Sequence, residues 1–391
     1  MQIIEDRRAL HKIPETGFDL PCTLAYLRQS LEKLNCTLFS PIDGALCAFF
    51  DFGRDSAIAF RADIDALPME EKTGLFYASQ HKGYMHACGH DGHAAIALEL
   101  ARRVSDAKRL RNNILLIFQP AEESIGGAKP ICQTGIFEAY HVKAVFGLHL
   151  WPELEAGEIF SRKGALMSRS SELTVEVTGK AAHISTPDDG ADSLAAAAEF
   201  YCRARQLEKD LCREDFCLLN FGSMQSGTAR NILSDRTRLY GCLRTFREDI
   251  FERAKQALQA FAAQLGKAYG CSFCVHLSEG YPAILNPDAL FEKVQSIAPF
   301  HQLPAPVLAT EDSSWYQHFA PGMFFFLSIV QHRPCTPTIS ILTKAFSSKA
   351  LTFLSASQRS LYDSSEPEYI HTAPQCHPCV HQPGKRNRRL Y

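Results

Sequence analysis

The sequence predicts an α/β protein: a large domain with a mixed sheet, interrupted by a smaller α+β domain. Up to about residue 150, short apolar runs alternate with amphipathic helical segments, which is typical of strands buried in an open sheet. Beyond about residue 170, apolar residues recur with period two, as in half-exposed antiparallel strands. A chain of 391 residues with 46% hydrophobic residues is also long enough to form two domains.

Composition excludes several classes of protein. The net charge of -2 argues against nucleic acid as a partner. No apolar run reaches the ~18–20 residues of a membrane span, and residues 1–8 lack the pattern of a signal peptide. The 14 cysteines are scattered rather than regularly spaced, so we expect a reduced, cytoplasmic protein without a disulfide framework.

Three predicted strands of the large domain end in ionisable side chains. One leads into Asp63 and Asp65, the second into Glu122 and Glu123, and the third ends in His149. Because active sites of open α/β sheets lie at the carboxyl ends of strands, we expect these side chains to share a crevice. Capping of the following turn is the alternative role for both aspartates. Helices are predicted within residues 5–35, with a break at Pro14, and over 94–104, and strands over 45–50, 57–63, 113–118, 144–149 and 323–327.

Residues 85–93 are dense in metal-binding side chains, with one Cys, three His and one Asp. Cys88 and His90 are two residues apart in a predicted loop, so both can point into one cavity, and thiolate and imidazole suit Zn and similar ions. Glu123 would add an oxygen ligand and His149 a second imidazole. Four ligands exceed the need of one open catalytic ion, which favours a pair of divalent ions ~3.5–4 Å apart.

Glu122 is adjacent to a predicted ligand and is free to act as a base. If Glu123 binds metal, Glu122 can accept a proton from water whose pKa the ion lowers to ~7. A solvated loop is the alternative for the two glutamates. His86 and His93 are expected to have supporting or structural roles. A thiol hydrolase built on Cys88 is a competing interpretation, but it leaves the glutamates unexplained.

Residues 168–278 predict an inserted domain with the order β-α-β-β-α-β, which is ferredoxin-like. The large domain is then assembled from residues 1–167 and 279–327. Within the insert, strands are predicted over 171–177, 217–222, 238–244 and 271–276, and helices over 193–207 and 249–265.

Six motifs in order make the chain resemble the M20 metallopeptidases. The resemblance is to their amidohydrolase branch, which includes hippurate hydrolases, indole-acetyl-amino-acid hydrolases and N-acetyl-diaminopimelate deacetylases. It runs from about residue 7 to residue 327. The motifs lie at residues 8–17 (RALHKIPETG), 61–68 (RADIDALP), 86–93 (HACGHDGH), 119–123 (QPAEE), 147–149 (GLH) and 310–312 (TED).

The resemblance implies a catalytic domain interrupted by a lid domain that dimerises. It implies two divalent ions (Mn, Zn, Co or Ni) held by Cys88, His90, Glu123 and His149, with Glu122 as general base. In the lid, His183 is similar to a histidine that holds the substrate carbonyl or the developing oxyanion. The turn at residues 227–231 resembles a substrate-contacting segment, so Asn231 and Arg230 are candidate substrate-binding residues, with Arg230 as the partner of the substrate carboxylate.

The tail departs from the family pattern. The family closes its site with one more His, in a Leu-His motif soon after the strand that matches residues 323–327, and this chain lacks that motif. When codons for residues 330–338 are read one base out of frame, the genetic code permits the sequence Ala-Thr-Pro-Ala-Leu-His-Ala-Asp, which contains the missing Leu-His motif. We therefore interpret residues 328–391 as an aberrant, frameshifted tail without packed structure, arising from a sequencing error or a real lesion. A divergent tail is the alternative.

The sequence thus predicts an enzyme that hydrolyses linear amide C–N bonds of N-acyl amino acids, of aminoacylase or hippurate hydrolase type. Metal-activated water would attack with Glu122 as general base, in a cytoplasmic homodimer formed through the lid. The alternative is a catalytically impaired relative that acts as a binding or oligomerisation module, because the closing His is missing. The acyl group, the amino acid and the native metal stay open.

Overall fold

A computed structural model describes residues 2–152, 154 and 157–328 of the chain. The expected α/β architecture with a mixed sheet is confirmed. An eight-stranded mixed sheet carries helices, and a segment inserted between two parts of the large domain forms a separate four-stranded sheet. The sequence-based prediction for residues 329–391 lies outside the described residues. Among those described, no helix combines the length and the apolar character needed to cross a membrane.

The helices and strands have the following bounds. The helices are α1 (Gln2–His11), α2 (Pro21–Leu31), α3 (His90–Ser105), α4 (Ala128–Gln133), α5 (Ile136–Ala139), α6 (Ser193–Leu211), α7 (Glu248–Tyr269) and α8 (Asp288–Ile297). The strands are β1 (Thr37–Phe39), β2 (Leu46–Phe50), β3 (Ala57–Asp63), β4 (Asn113–Gln119), β5 (Val142–Trp151), β6 (Ile159–Ser161), β7 (Gly164–Met167), β8 (Arg169–Thr178), β9 (Cys217–Ser226), β10 (Arg236–Thr245), β11 (Ser272–Leu277), β12 (Ile284–Asn286), β13 (His301–Gln302) and β14 (Gly322–Ser328).

The large sheet has the order β1-β2-β4-β3-β5-β14-β6-β13. Its four middle strands, β4, β3, β5 and β14, are parallel, and β3, β4 and β14 are buried along their whole length. Strands buried on both faces read as continuous apolar runs, which is why they were recognisable in the sequence. The register sets Asp63 opposite Gln119, so the carboxyl ends of β3 and β4 are level.

The inserted domain folds as four antiparallel strands in the order β11-β8-β10-β9, with α6 and α7 on one face. Inward side chains such as Val175, Leu239, Phe200 and Leu258 share one buried cluster. Asp192 begins α6 by accepting hydrogen bonds from the amides of residues 194 and 195, as N-cap residues do. The four-stranded sheet runs from residue 169 to residue 277, inside the range expected from the sequence.

Two elements at the candidate site differ from the sequence-based prediction. Helix α3 begins at His90 rather than at Ala94, so the second half of the metal-binding segment forms its first turns. Strand β5 continues to Trp151, which places His149 inside the strand rather than at its end. The last described strand, β14, is one residue longer at each end than predicted and includes Ser328.

Candidate metal centre

The carboxyl ends of β3, β4 and β5 meet the amino end of α3 and form the candidate centre. Gly89 has a left-handed backbone (φ 95°), which lets the chain turn from Cys88 into α3. A Cβ atom at Gly89 would lie 3.2 Å from a methyl group of Leu150, so the turn also packs closely on β5. Glycine meets both demands because it lacks that atom.

All four ligands predicted from the sequence are brought together, and so is the predicted base. Ligand atoms of Cys88, His90 and His149 lie within 4.8 Å of one another, and so do those of His90, Glu122 and Glu123. The Cys88 sulfur is 3.3 Å from Nε2 of His149. His90 therefore belongs to both of these groups of possible ligand atoms.

Hydrogen bonds direct Nε2 of both histidines into this cluster. Nδ1 of His90 donates to the carbonyl oxygen of Asp65 at 2.9 Å, and Nδ1 of His149 donates to that of Leu150 at 2.7 Å. A carbonyl only accepts, so each Nδ1 carries the proton and each Nε2 is left as a ligand atom.

Two buried polar atoms at the centre have no hydrogen-bond partner among the described residues: Nε2 of His90 and Oε1 of Glu123. The carboxylates of Asp63 and Glu123 lie 3.4 and 3.8 Å from that nitrogen without hydrogen-bond geometry. Burial opposes a charge on His90, but Asp63 and a hydrogen bond to Asp65 outweigh it and raise the pKa of the ring. The surroundings thus favour positive charge at this nitrogen, and the donor set fits divalent cations.

His93 is not available as a ligand, although it lies beside Asp63 and His90. Its Nδ1 is 2.5 Å from the Asp63 carboxylate, and its Nε2 accepts the backbone N–H of Leu150 at 2.9 Å. Both ring nitrogens are occupied, so His93 links the end of β3 to the residue after His149. The supporting role expected for it matches this geometry.

His86 is buried, and neither of its ring nitrogens has a hydrogen-bond partner among the residues described. Burial lowers the pKa of His86 to about 4, so the ring is neutral at pH 7. It faces His11 with ring centroids 6.4 Å apart. His11 itself contacts the carboxylates of Asp91 and Glu71 at 2.8 and 3.3 Å.

A buried cluster of charged side chains surrounds Arg61 and includes Asp63 of the centre. The guanidinium contacts the carboxylates of Asp63, Glu311 and Asp312 at 2.9, 2.8 and 2.8 Å, and it donates to the Gln119 side chain at 2.8 Å. All of these side chains are buried. Burial opposes ionisation of Asp63, but Arg61 outweighs it and holds the pKa of this carboxyl well below its usual range.

Glu122 lies beside two further acids. Carboxylate oxygens of Glu122, Glu311 and Asp312 are within 4.8 Å of one another. Burial raises the pKa of Glu122 well above its usual range, and the charges of Glu311 and Asp312 raise it further. Carboxyl groups whose pKa is raised by burial and like charge are suited to proton transfer near neutral pH.

The raised pKa of Glu311 predicts that the free energy of unfolding depends on pH. Burial raises this pKa to about 8, against ~4.3 for glutamate in an unfolded chain. Between these two values the folded protein binds the proton more strongly, so the free energy of unfolding falls as the pH rises from ~4.3 to about 8. We expect Glu311→Gln to flatten this dependence. Urea unfolding at pH 5, 6, 7 and 8 measures it.

Glu279→Gln is the control for that experiment, because this acid is exposed and pairs with Lys129 at the surface. The control should keep the pH dependence of the parent. Equal slopes for the parent and Glu311→Gln would contradict the prediction.

Of the three lid residues predicted from the sequence, His183 and Asn231 lie close together, and Arg230 is next to Asn231 in the chain. His183, Arg230 and Asn231 are all exposed. A backbone bridge joins His183 to Ile232, and the N–H of Ile184 donates to the carbonyl of Asn231 at 3.1 Å. The described contacts of His183 are within the lid, where its Nδ1 lies 2.7 Å from the Ser185 hydroxyl.

Sequence reasoning left the role of Asp65 open between the site and a turn cap, and it gave no role to Tyr281. Asp65 accepts the backbone N–H groups of Glu122 and Glu123 at 3.0 and 3.1 Å. Tyr281 lies in the connection from β11 to β12, and its hydroxyl donates to the carbonyls of Glu122 and Ser124 at 3.3 and 3.4 Å. Asp65 stood in a recognised motif, whereas nothing in the pattern around Tyr281 distinguished it.

Comparison with known proteins gives consistent matches. A model of peptidase family M20/M25/M40 matches residues 59–345. The N-acetyl-L-cysteine deacetylase of Bacillus subtilis is 34% identical over 379 residues, covering 94% of this chain and 90% of that protein. An N-acetyldiaminopimelate deacetylase of Streptococcus uberis is 32% identical, covering 84% of this chain and 90% of that protein. The crystal structure of the Bacillus subtilis YXEP protein, a dinuclear metal binding peptidase, has a TM-score of 0.75 and 26% identity, covering 90% of this chain and 98% of that one.

Proposed function

The chain belongs to peptidase family M20/M25/M40, and from this premise we propose that it is an amidohydrolase of aminoacylase or hippurate hydrolase type. Its relatives include deacetylases of N-acetylated amino acids, so N-acyl amino acids are its substrate class. One observation carries the proposal: a buried nitrogen of His90 and a buried oxygen of Glu123 have no hydrogen-bond partner among the described residues. The ligand atoms of Cys88, His149 and Glu122 each lie within 4.8 Å of that of His90.

Cys88, His90, Glu123 and His149 are the residues that would hold two divalent ions, which we take to be Mn, Zn, Co or Ni. Such ions supply positive charge that polarises an amide carbonyl and makes water more acidic. Burial raises the pKa of the Cys88 thiol to about 11. This thiol must lose its proton to bind metal, so binding releases a proton.

Glu122 performs the proton transfers in this proposal. Its carboxylate takes a proton from the attacking water and later gives it to the leaving amine. The backbone N–H of Glu122 is held by Asp65 and its carbonyl by Tyr281, so the side chain starts from an anchored position. Its raised pKa makes it a stronger base than an ordinary glutamate.

Lid residues complete the proposed site. His183 would donate to the charge that develops on the carbonyl oxygen. Asn231 and Arg230 would bind the substrate, with the guanidinium of Arg230 on its free carboxylate. The exposure of all three in a single chain is compatible with a lid that closes over the crevice. A cytoplasmic homodimer formed through the lid is part of the same proposal.

Hydrolysis of N-acetyl and N-benzoyl amino acids tests the function. The chain is assayed as it stands and in a second form, in which the codons after Leu327 are read one base out of frame. We expect hydrolysis that a chelator abolishes and added Mn or Zn restores, with higher activity in the second form. Chelator-resistant hydrolysis would favour a thiol enzyme. No hydrolysis by either form would count against the proposal and for a binding module.

Removal of the metal should lower the melting temperature. A ligand that binds only the folded state stabilises it by about 2.7 kcal/mol at a hundredfold excess over its Kd. We therefore expect the melting temperature of the protein with added Zn or Mn to fall by several degrees after dialysis against a chelator. In Cys88→Ser with His149→Ala this difference should disappear. An unchanged difference in the double variant would place the ions elsewhere.

A further inference from the structure

Asp65 contacts three functional residues at once. Its carboxylate accepts the backbone N–H of Glu122 on one oxygen and that of Glu123 on the other, at 3.0 and 3.1 Å. Its carbonyl oxygen accepts Nδ1–H of His90 at 2.9 Å. Asp65 is fully buried, so these bonds are shielded from competing water.

The turn that carries the two glutamates needs such support. Ala121, directly before Glu122, has a left-handed backbone with φ 60°, which costs a residue with a Cβ atom about 1–2 kcal/mol. Ala121 is fully buried. Gly127 closes the same segment, where a Cβ atom would lie 2.0 Å from the carbonyl oxygen of Pro120. A strained, tightly packed turn keeps its shape only when its surroundings hold it.

We propose that Asp65 is the positioning residue of this centre: through three hydrogen bonds it sets the base Glu122 and the ligands Glu123 and His90 relative to one another. The inference rests on the proposed metal site. Asp65 touches neither ion nor substrate in this role. It acts through the backbone of the glutamates and through the tautomer of His90, whose Nε2 it leaves free for metal.

The alternative for Asp65 is an ordinary structural cap, and the chain offers a matched control for it. Glu15 likewise accepts two consecutive backbone N–H groups on separate oxygens, those of Cys22 at 3.0 Å and Thr23 at 2.8 Å, but at the start of α2. The amide variant at either position, Asp65→Asn or Glu15→Gln, keeps one accepting oxygen and presents an N–H₂ group where the second oxygen was. The two variants therefore lose equivalent hydrogen bonds in different places.

The test compares Asp65→Asn and Glu15→Gln in the full chain by two measurements. Titration with Zn or Mn alone gives the metal Kd, and hydrogen exchange follows the backbone amides of residues 119–126. We expect Asp65→Asn to weaken metal binding about 10–100-fold, as loss of partners behind metal ligands does, and to speed exchange in this segment. Glu15→Gln should change neither.

Two results would overturn the proposal. One is a metal Kd in Asp65→Asn within about twofold of the parent, whatever happens to exchange. The other is an equal loss of affinity in both variants, which would show a general loss of stability. Neither measurement uses hydrolysis, so a chain that binds metal but cleaves no N-acyl amino acid would count against the proposed function and leave this comparison intact.

Discussion

The Glu122→Gln protein is expected to lose hydrolytic activity while keeping its metal. Glutamine has the shape of glutamate but cannot take a proton from water, and loss of a general base typically costs about 10²–10⁴-fold in rate. Glu122 shares a group with His90 and Glu123, yet the ligands themselves would be unchanged. The measurement is kcat on the best substrate of the panel, with metal content determined on the same sample.

Glu123→Gln is the matched variant, because it replaces the neighbouring carboxylate with the same amide group. We expect it to lose metal affinity as well as activity, since Oε1 of Glu123 is a buried ligand atom without a hydrogen-bond partner among the described residues. Activity of Glu122→Gln equal to that of the parent would remove this residue from the mechanism. Loss of metal in both variants alike would make Glu122 a ligand instead.

The second large effect is expected on stability. Arg61→Met removes the cation that contacts three buried acids, Asp63, Glu311 and Asp312. Of these, Asp63 has a pKa well below its usual range and is therefore ionised at pH 7. Breaking a buried ion pair from one side costs about 3–5 kcal/mol, because the remaining charge is left without compensation. We therefore expect the free energy of unfolding to fall by that amount, as measured by urea unfolding at pH 7.

Arg253→Met provides the control for this loss. Arg253 makes two short contacts to Glu214, but both side chains are about half exposed. Surface ion pairs contribute about 0–1 kcal/mol, so the control should lie within that range of the parent. A loss in Arg61→Met no larger than in Arg253→Met would mean that the charge of Asp63 does not depend on Arg61 for compensation.

Much of the large sheet was predictable because its middle strands are buried on both faces. Strands β3 and β4 matched the predicted segments to within one residue. Strand β3 ends at Asp63 and the Glu122–Glu123 pair follows shortly after β4, so a shared crevice was expected from the rule for open α/β sheets. The Cys88–His90 spacing then identified the class of ligand.

What could not be predicted depends on contacts between distant parts of the chain. The contact between Arg61 and Asp312 could not be predicted from the local sequence, because 251 positions separate the two residues. Asp312 begins a 3₁₀ helix in the second part of the large domain. Asp65 was left open between a local cap and a role at the site. It caps a turn, but one 57 positions away. The positions of the three lid residues could not be predicted from the local sequence either, because they depend on how the two domains pack.

The position of β14 has a consequence for how the chain folds. This strand lies between β5 and β6 in the middle of the large sheet, yet the whole inserted domain precedes it in the sequence. During synthesis, β8 to β11 are available to fold while β5 and β6 still expose unpaired edges. We expect a long-lived intermediate with a folded insert and an open sheet, which is prone to association through those edges. Arrival of residues 322–328 closes the sheet, and this long-range step should limit the rate of refolding.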